Sequence, residues 1–251
     1  MTPQDHFSPV AAQYAAFRPR YPEALFAWLA SIAPARERAW DCACGSGQAT
    51  ASLATHFRHV TGTDLSAKQL QAATPRPNID YRVALAENSG LPAATFDLVT
   101  VAQALHWFDV TRFYAEARRV LRPAGVLAVW CYGVCTLAPE YGNAALQDFY
   151  SNVVGPHWPA EREHVENGYQ TLSFPQPQLP NPSLSLSFEW TLYELLGYVS
   201  SWSATARYRE SCGIDPVPAL QAALATSWGD ASERHLIRWP LTIRATVMNP
   251  A

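Results

Sequence analysis

No apolar run in the sequence approaches the roughly 20 residues that a membrane-spanning helix needs, so no span is expected. Nor is there a surplus of basic charge: 18 Lys and Arg face 21 Asp and Glu, a formal net charge of −3. Binders of nucleic acid or of anionic membrane surfaces depend on a dominant basic face, and this balance does not supply one. The opening residues, MTPQDHFSPVAAQYAAFRPRYP, have no basic segment leading into an apolar core, so no secretory signal is read there. Cysteines are five, an odd number, which without an export signal predicts reduced thiols and a cytoplasmic setting. Cys42 and Cys44 lie two apart and Cys131 and Cys135 four apart. No Cys or His pair at zinc-site spacing accompanies them, so no metal site is expected. Internal repeats and low-complexity tracts are also missing.

The 251 residues suffice for one sizeable domain, and 49% hydrophobic content is that of an ordinary folded protein. YPEALFAWLASIA places Leu25, Leu29 and Ile32 on one helical face, and Pro34 ends it. RAWDCA reads as a short buried strand, GSGQATASLATHF as a helix and HVTGTD as a second strand. Ser66 is suited to cap AKQLQAA, and Asp109 to cap VTRFYAEARRVL. FDLVTVAQAL is nearly all apolar, as a central parallel strand covered on both faces should be. VLAVWCYG follows the break at Pro123-Ala124-Gly125.

Strands alternating with helices over residues 38–132 predict an α/β fold with a doubly wound, mostly parallel sheet. Beyond it the rhythm changes. Residues 156–182 are proline-rich and read as an irregular connection and not a helix. Residues 184–192 and 235–247 read as the last strands, Pro240 implying an edge or a bulge. Thr191 can cap LYELLGYVSSWS, and PALQAALATSW is a further helix. A single domain over 1–251 is expected, with a helical cap drawn from 136–180 and 192–230.

In such a sheet, ligands bind beyond the carboxyl ends of the strands where strand order reverses. DCACGSGQAT occupies that position after the first strand. Gly45 and Gly47 let the backbone bend and a ligand approach. Asp64 ends the second strand, 17 residues beyond Gly47, where an acid can accept from both hydroxyls of a ribose. A dinucleotide would call for a third glycine, but position 50 is Thr. Asp41 is awkward beside a pyrophosphate and suits a cationic ligand such as S-adenosylmethionine.

These residues resemble the class I S-adenosylmethionine-dependent methyltransferases. AWDCACGSGQAT is similar to the family's Asp-x-Gly-x-Gly-x-Gly motif, with Ala43 in place of its first glycine. GTDLS resembles the acidic ribose motif, ALAENSGLP the segment bordering adenine, and FDLVTVAQALHWFD and RRVLRPAGVLAVW the fourth and fifth strand motifs. The flanking YAAFRPRYP, HWF and WPLTIR resemble the trans-aconitate-type small-molecule subgroup. The resemblance implies a Rossmann-like sheet of seven strands, S-adenosylmethionine as cofactor, and a small-molecule acceptor methylated at oxygen, carboxylate or hydroxyl. It implies neither a nucleic-acid nor a membrane partner, and a monomer or homodimer. A non-catalytic cofactor-binding protein on the same fold is the alternative.

By position, Gly45, Ser46 and Gly47 would line the methionine moiety, with the Ala43 carbonyl or the Asp41 region meeting its ammonium. Asp64 would hold the ribose, Leu65 pack on the adenine, and Ala86 and Glu87 border its edge. Gln103 would lie near the methionine tail. Tyr14 and Arg18 would fold over the cofactor, unless their stretch is only an amphipathic lid. His106 is the candidate catalytic residue, as a base or hydrogen-bond donor titrating near neutrality, or else a satisfied structural histidine. Trp107 and Phe108 suit either the acceptor site or a core cluster. Tyr169, Trp202, Arg207 and Tyr208 are further candidates for acceptor contacts.

Overall fold

The computed structural model describes residues 19–138 and 140–248, the side chain of Tyr141 excepted. Its elements in chain order begin with α1 (Glu23–Ile32), β1 (Arg38–Cys42), α2 (Gln48–Leu53) and β2 (His59–Asp64). Next come α3 (Ala67–Gln71), β3 (Ile79–Val83), β4 (Phe96–Ala102), α4 (Val110–Val120) and β5 (Leu121–Tyr132). The remainder comprises β6 (Thr136–Ala138), α5 (Asn143–Asp148), α6 (Arg162–Glu166), β7 (Leu184–Trp190), α7 (Leu192–Ser200), α8 (Ser203–Cys212), α9 (Val217–Trp228) and β8 (His235–Val247).

Local chemistry sets the helix starts. Ser66 accepts from the Gln69 N–H at 3.3 Å and Asp109 from the Arg112 N–H at 3.1 Å. Thr191 and Glu194 form a reciprocal capping box. α4 then turns Phe113, Ala117 and Val120 into the sheet, where they meet Trp40, Val99, Val101 and Leu127. Truncating a fully buried ring such as Phe113 costs about 3–5 kcal/mol. The opposite face of the sheet is covered by Leu25, Phe26 and Leu29 of α1 and by Leu53 of α2.

The sheet has eight strands in the order β3-β2-β1-β4-β5-β8-β6, with β7 also paired to β8. β1 to β5 are mutually parallel, and order reverses between β1 and β4. Two of the sequence expectations need correction. The strand beyond the expected seven is β6, three residues held by β8 alone. The connection over 156–182 is not wholly irregular, because it contains the short helix α6.

β8 is an interior strand with three partners. β5 pairs with residues 241–247 and β6 with 236–238 on one flank, while β7 pairs with 235–241. Pro240 pairs on the β7 flank alone, so it stands at a local edge within an otherwise interior strand. On the β5–β6 flank no strand lies opposite residues 239 and 240, so the missing N–H costs no ladder bond there. The sheet parts at this point, and residues 147–168 lie beside the opening. Trp190, Tyr198, Trp202 and Trp239 pack edge-to-face where β7, β8 and α7 meet. Most of the tryptophan thus fills core.

Candidate active site

The loop after β1 is wound by three alternating left-handed residues: Ala43 (φ 52°), Gly45 (φ 56°) and Gly47 (φ 79°). These are the three glycine positions of the motif. Ala43 bears a strain of about 1–2 kcal/mol that a glycine would not. The turn closes through Gly47 N–H to the Cys44 carbonyl, 2.9 Å, and Cys44 N–H to the Thr63 carbonyl, 2.9 Å. Ser46 is its partly exposed tip. Gly47 has a second reason to lack a side chain, since the Tyr81 ring of β3 lies across it and across Gly62. Burial pushes the Tyr81 hydroxyl up to about 12.

Asp64 braces this loop from β2. Its carboxylate accepts from Gly45 N–H and Ser66 N–H, both at 2.8 Å, which aims it into the crevice mouth. A carboxylate oxygen accepts more than one hydrogen bond, so this bracing is compatible with holding ribose hydroxyls. Beside it lies an apolar shelf. Among the described residues only five large apolar side chains are exposed, and three of them are Leu65 (41%), Val83 (58%) and Leu85 (36%). The pairing of Asp64 with Val83 puts all three at the ends of β2 and β3. Ala86 is buried just beyond. The Glu87 carboxylate accepts from Asp109 N–H at 2.9 Å, tying this segment to the start of α4.

Asp41 is brought to the strand end, yet its side chain is fully buried. Thr50 donates to one oxygen at 2.5 Å and Thr100 to the other at 2.9 Å. Burial raises its carboxyl to about 6. The side chain thus stands behind the glycine loop, joining β1 to α2 and β4. Gln103 is also differently engaged. Left-handed at φ 57°, it pairs its amide with the Tyr132 backbone in both directions, 2.8 and 2.9 Å, and so clamps β4 to β5. Cys42 and Cys44 are buried thiols pushed well up by desolvation. Among the described residues no group of three metal-ligating side chains assembles. Tyr14 and Arg18 lie outside the described residues.

His106 sits on the turn Leu105–Trp107 after β4, with Nδ1 3.1 Å from the Tyr169 hydroxyl. The expectation that it titrates near neutrality is overturned. Burial, aided by the charges of Arg162 and His164, lowers it to about 3, so the ring is neutral at physiological pH. Tyr169 is fully buried and keeps its proton, because desolvation raises its hydroxyl well above the ordinary value. Trp107 and Phe108 are half-buried and pack against the core on the α4 side. α6 lies against this turn and against β5.

A cleft of about 690 Å³ opens where the sheet parts. Gly133 and Val134 after β5, Pro240 and Thr242 of β8, and Tyr150, Trp158 and Arg162 of the cap line it. Trp202 is buried behind Trp158, and neither it nor Arg207 nor Tyr208 reaches the lining.

Residues 40–129 match the methyltransferase domain family. A candidate methyltransferase of Dictyostelium discoideum is 31% identical over 227 residues, 89% of this chain and 86% of that protein. A solved candidate type II methyltransferase from Anaeromyxobacter dehalogenans is 44% identical, covers 94% of this chain and 100% of its own, and superposes with a TM-score of 0.87. The chain belongs to the class I S-adenosylmethionine-dependent methyltransferases. A Saccharomyces cerevisiae protein named as an S-adenosylmethionine-dependent methyltransferase is 28% identical over 52% of this methyltransferase and 47% of its own length.

The crevice fits the cofactor of this family. Asp64, braced at the end of β2, has the chemistry to hold ribose hydroxyls, and the exposed Leu65, Val83 and Leu85 have that to cover an adenine face. Sequence reasoning missed Tyr81, Val83, Leu85 and the anchor of the adenine segment. That anchor is Glu116, which accepts from Ser89 N–H at 2.9 Å and from Arg119, the latter holding its carboxyl below the usual range. No local motif marks these residues, since each acts across the fold. Alternation in IDYRVAL was the one signal available for Tyr81 and Val83.

Proposed function

We propose that this methyltransferase acts on a small molecule, at oxygen, in the cleft between β5 and β8. The observation that carries the reading is the cleft itself, which lies beyond the carboxyl end of β5 on the edge of the sheet that bears the glycine loop. Its volume of about 690 Å³ is within the usual range of roughly 300–1,000 Å³ for small-molecule sites, and residues 147–168 form one of its walls. A net charge of −3 argues against nucleic-acid substrates. Among the described residues no helix is long and apolar enough to cross a membrane. All five cysteines are free, in keeping with a cytoplasmic protein, working as monomer or homodimer.

S-adenosylmethionine, when bound, supplies a methyl group already activated by its sulfonium. The chain has to bind, orient and exclude water, for which positioning alone supplies on the order of 7–11 kcal/mol. The Gly45-Ser46-Gly47 backbone and the Ala43 carbonyl would hold the methionine end, Asp64 the ribose, and Leu65, Ala86 and Glu87 the adenine surroundings. Asp41 and Gln103 would shape that crevice from behind, and Tyr14 and Arg18 would close over it. His106, neutral and tied to Tyr169, would orient the acceptor oxygen through hydrogen bonding. An imidazole of such low basicity is a poor general base, so an acceptor that arrives ionised suits it.

The test is release of S-adenosylhomocysteine screened against organic acids, phenols and cell extract, beside calorimetry of cofactor binding. Turnover on a small acid or phenol supports the proposal. Tight cofactor binding without turnover on any acceptor would turn it over in favour of a regulatory protein.

A further inference from the structure

Arg162 is the cation of the cleft, and among the described residues its two terminal nitrogens have no hydrogen-bond partner. Its guanidinium lies 4.7 Å from the Trp158 ring centroid and 5.6 Å from that of Tyr150. Nε donates to the Tyr150 hydroxyl at 2.9 Å, and that hydroxyl donates to Glu166 at 2.5 Å. Arg58, Arg82, Arg119, Arg122, Arg209 and Arg234 each have a carboxylate within 4.0 Å. Arg162 has none among the described residues, and its terminal nitrogens donate to no described residue.

An arginine held over aromatic rings and tied through Nε keeps its two terminal nitrogens oriented for two parallel bonds to a planar oxyanion. We propose that Arg162 anchors a carboxylate of the methyl acceptor, and that the acceptors are singly charged organic acids. The inference rests on the small-molecule reading above and deepens it. The limit to one charge comes from the lining. Glu163 and Glu166 share the cleft with Arg162, so a dianion such as a phosphate monoester meets two carboxylates for one cation.

The anchor and His106 are linked through one helix, although His106 does not itself line the cleft. α6, which Arg162 begins, packs against the turn bearing His106 and against β5. The arginine is also among the charges that hold His106 neutral.

Three monocarboxylates of different shape (butyrate, benzoate and cinnamate) are titrated into the protein, each beside its neutral amide, with phenyl phosphate as the dianion. Tryptophan fluorescence reports binding, Trp158 lying under the guanidinium, and each titration is run with and without S-adenosylhomocysteine. At least one carboxylate should bind about tenfold or more tighter than its amide, and phenyl phosphate more weakly than benzoate. Arg162→Gln should abolish the preference for carboxylate, and Arg162→Lys should retain part of it. S-adenosylhomocysteine affinity should be unchanged in both. Amides equal to their acids, or a preference that survives Arg162→Gln, would overturn the proposal. If Arg162→Gln does not fold, by its thermal melt, Arg162→Lys and the acid-against-amide comparison on the unaltered protein decide. Failure of S-adenosylhomocysteine to bind, with an Arg162-dependent preference intact, would strike the small-molecule methyltransferase reading and leave the anchor standing. Cofactor binding with no preference for acids would do the reverse.

Discussion

Gly47→Ala puts the glycine loop to a quantitative test. Gly47 caps α2 at φ 79°, ψ 23°, a conformation that costs an L-residue about 1–2 kcal/mol. An added Cβ would also stand 2.3 Å from the Tyr81 hydroxyl oxygen, 3.0 Å from Cζ and 3.1 Å from Cε1. The same edge of the ring also faces Gly62, where a Cβ would stand 2.9 Å from Cδ1 and Cε1. Overpacking of this kind adds about 1–3 kcal/mol, for a total of about 2–5. In a chain of this size each kcal/mol moves Tm by about 2–4 °C, so a fall of roughly 4–20 °C is expected. Urea unfolding of Gly47→Ala, Tyr81→Ala and the double variant separates the two costs. Alanine at 81 removes the collision but not the backbone strain, so the pair should couple by about 1–3 kcal/mol. A loss under about 1 kcal/mol, or strict additivity, would refute the claim that Tyr81 dictates glycine at 47.

Other expectations follow from the same site. Asp64→Ala should weaken cofactor binding by about 2 kcal/mol or more in calorimetry, because the ribose hydroxyls lose a charged acceptor; unchanged affinity would remove Asp64 from the site. Asp41 titrates near 6 when folded against an ordinary 3.8, so its contribution to stability is full below about pH 4 and is lost as pH rises through 6. Denaturant curves for Asp41→Asn should therefore gain about 3 kcal/mol on the parent between pH 4 and 7, and parallel pH profiles would show the carboxylate to be unstrained. His106→Gln should spare cofactor affinity and slow turnover about tenfold. The parent's rate should show no limb between pH 5 and 8 that His106→Gln removes; such a limb would mean the imidazole titrates after all. Ala43→Gly should leave the melting temperature unchanged or raised, the relief at φ 52° matching or exceeding the entropy that glycine adds to the unfolded chain, about 0.4–1 kcal/mol.

Much of the fold could be read from the sequence where the signal is local. Ser66, Asp109 and Thr191 cap their helices as their side chains suggest, and the apolar run of β4 is buried along all but its last residue. The glycine loop and Asp64 fall where strand-end logic puts them. What could not be read depends on distant partners. β6 is three residues that become a strand because β8 lies beside them, and α6 is a five-residue helix in a proline-rich stretch. The lowered pKa of His106 reflects first its burial by the fold and then the charges of Arg162 and His164, more than fifty positions away. Asp41 and Gln103 were read from position alone. Their surroundings, two threonines and a facing peptide group, assign their side chains to holding strands together.

The threefold pairing of β8 has a consequence for biosynthesis. β5, β6 and β7 all emerge from the ribosome before residues 235–247, and until then each has an unsatisfied edge that only β8 can close. Strands β1 to β4 can assemble as they are made, whereas β5, β6 and β7 must wait for residues 235–247. Nascent chains arrested before residue 235 should therefore show protease-resistant β1–β4 and a protease-sensitive remainder, with protection of β5 and β7 arriving together once β8 is exposed.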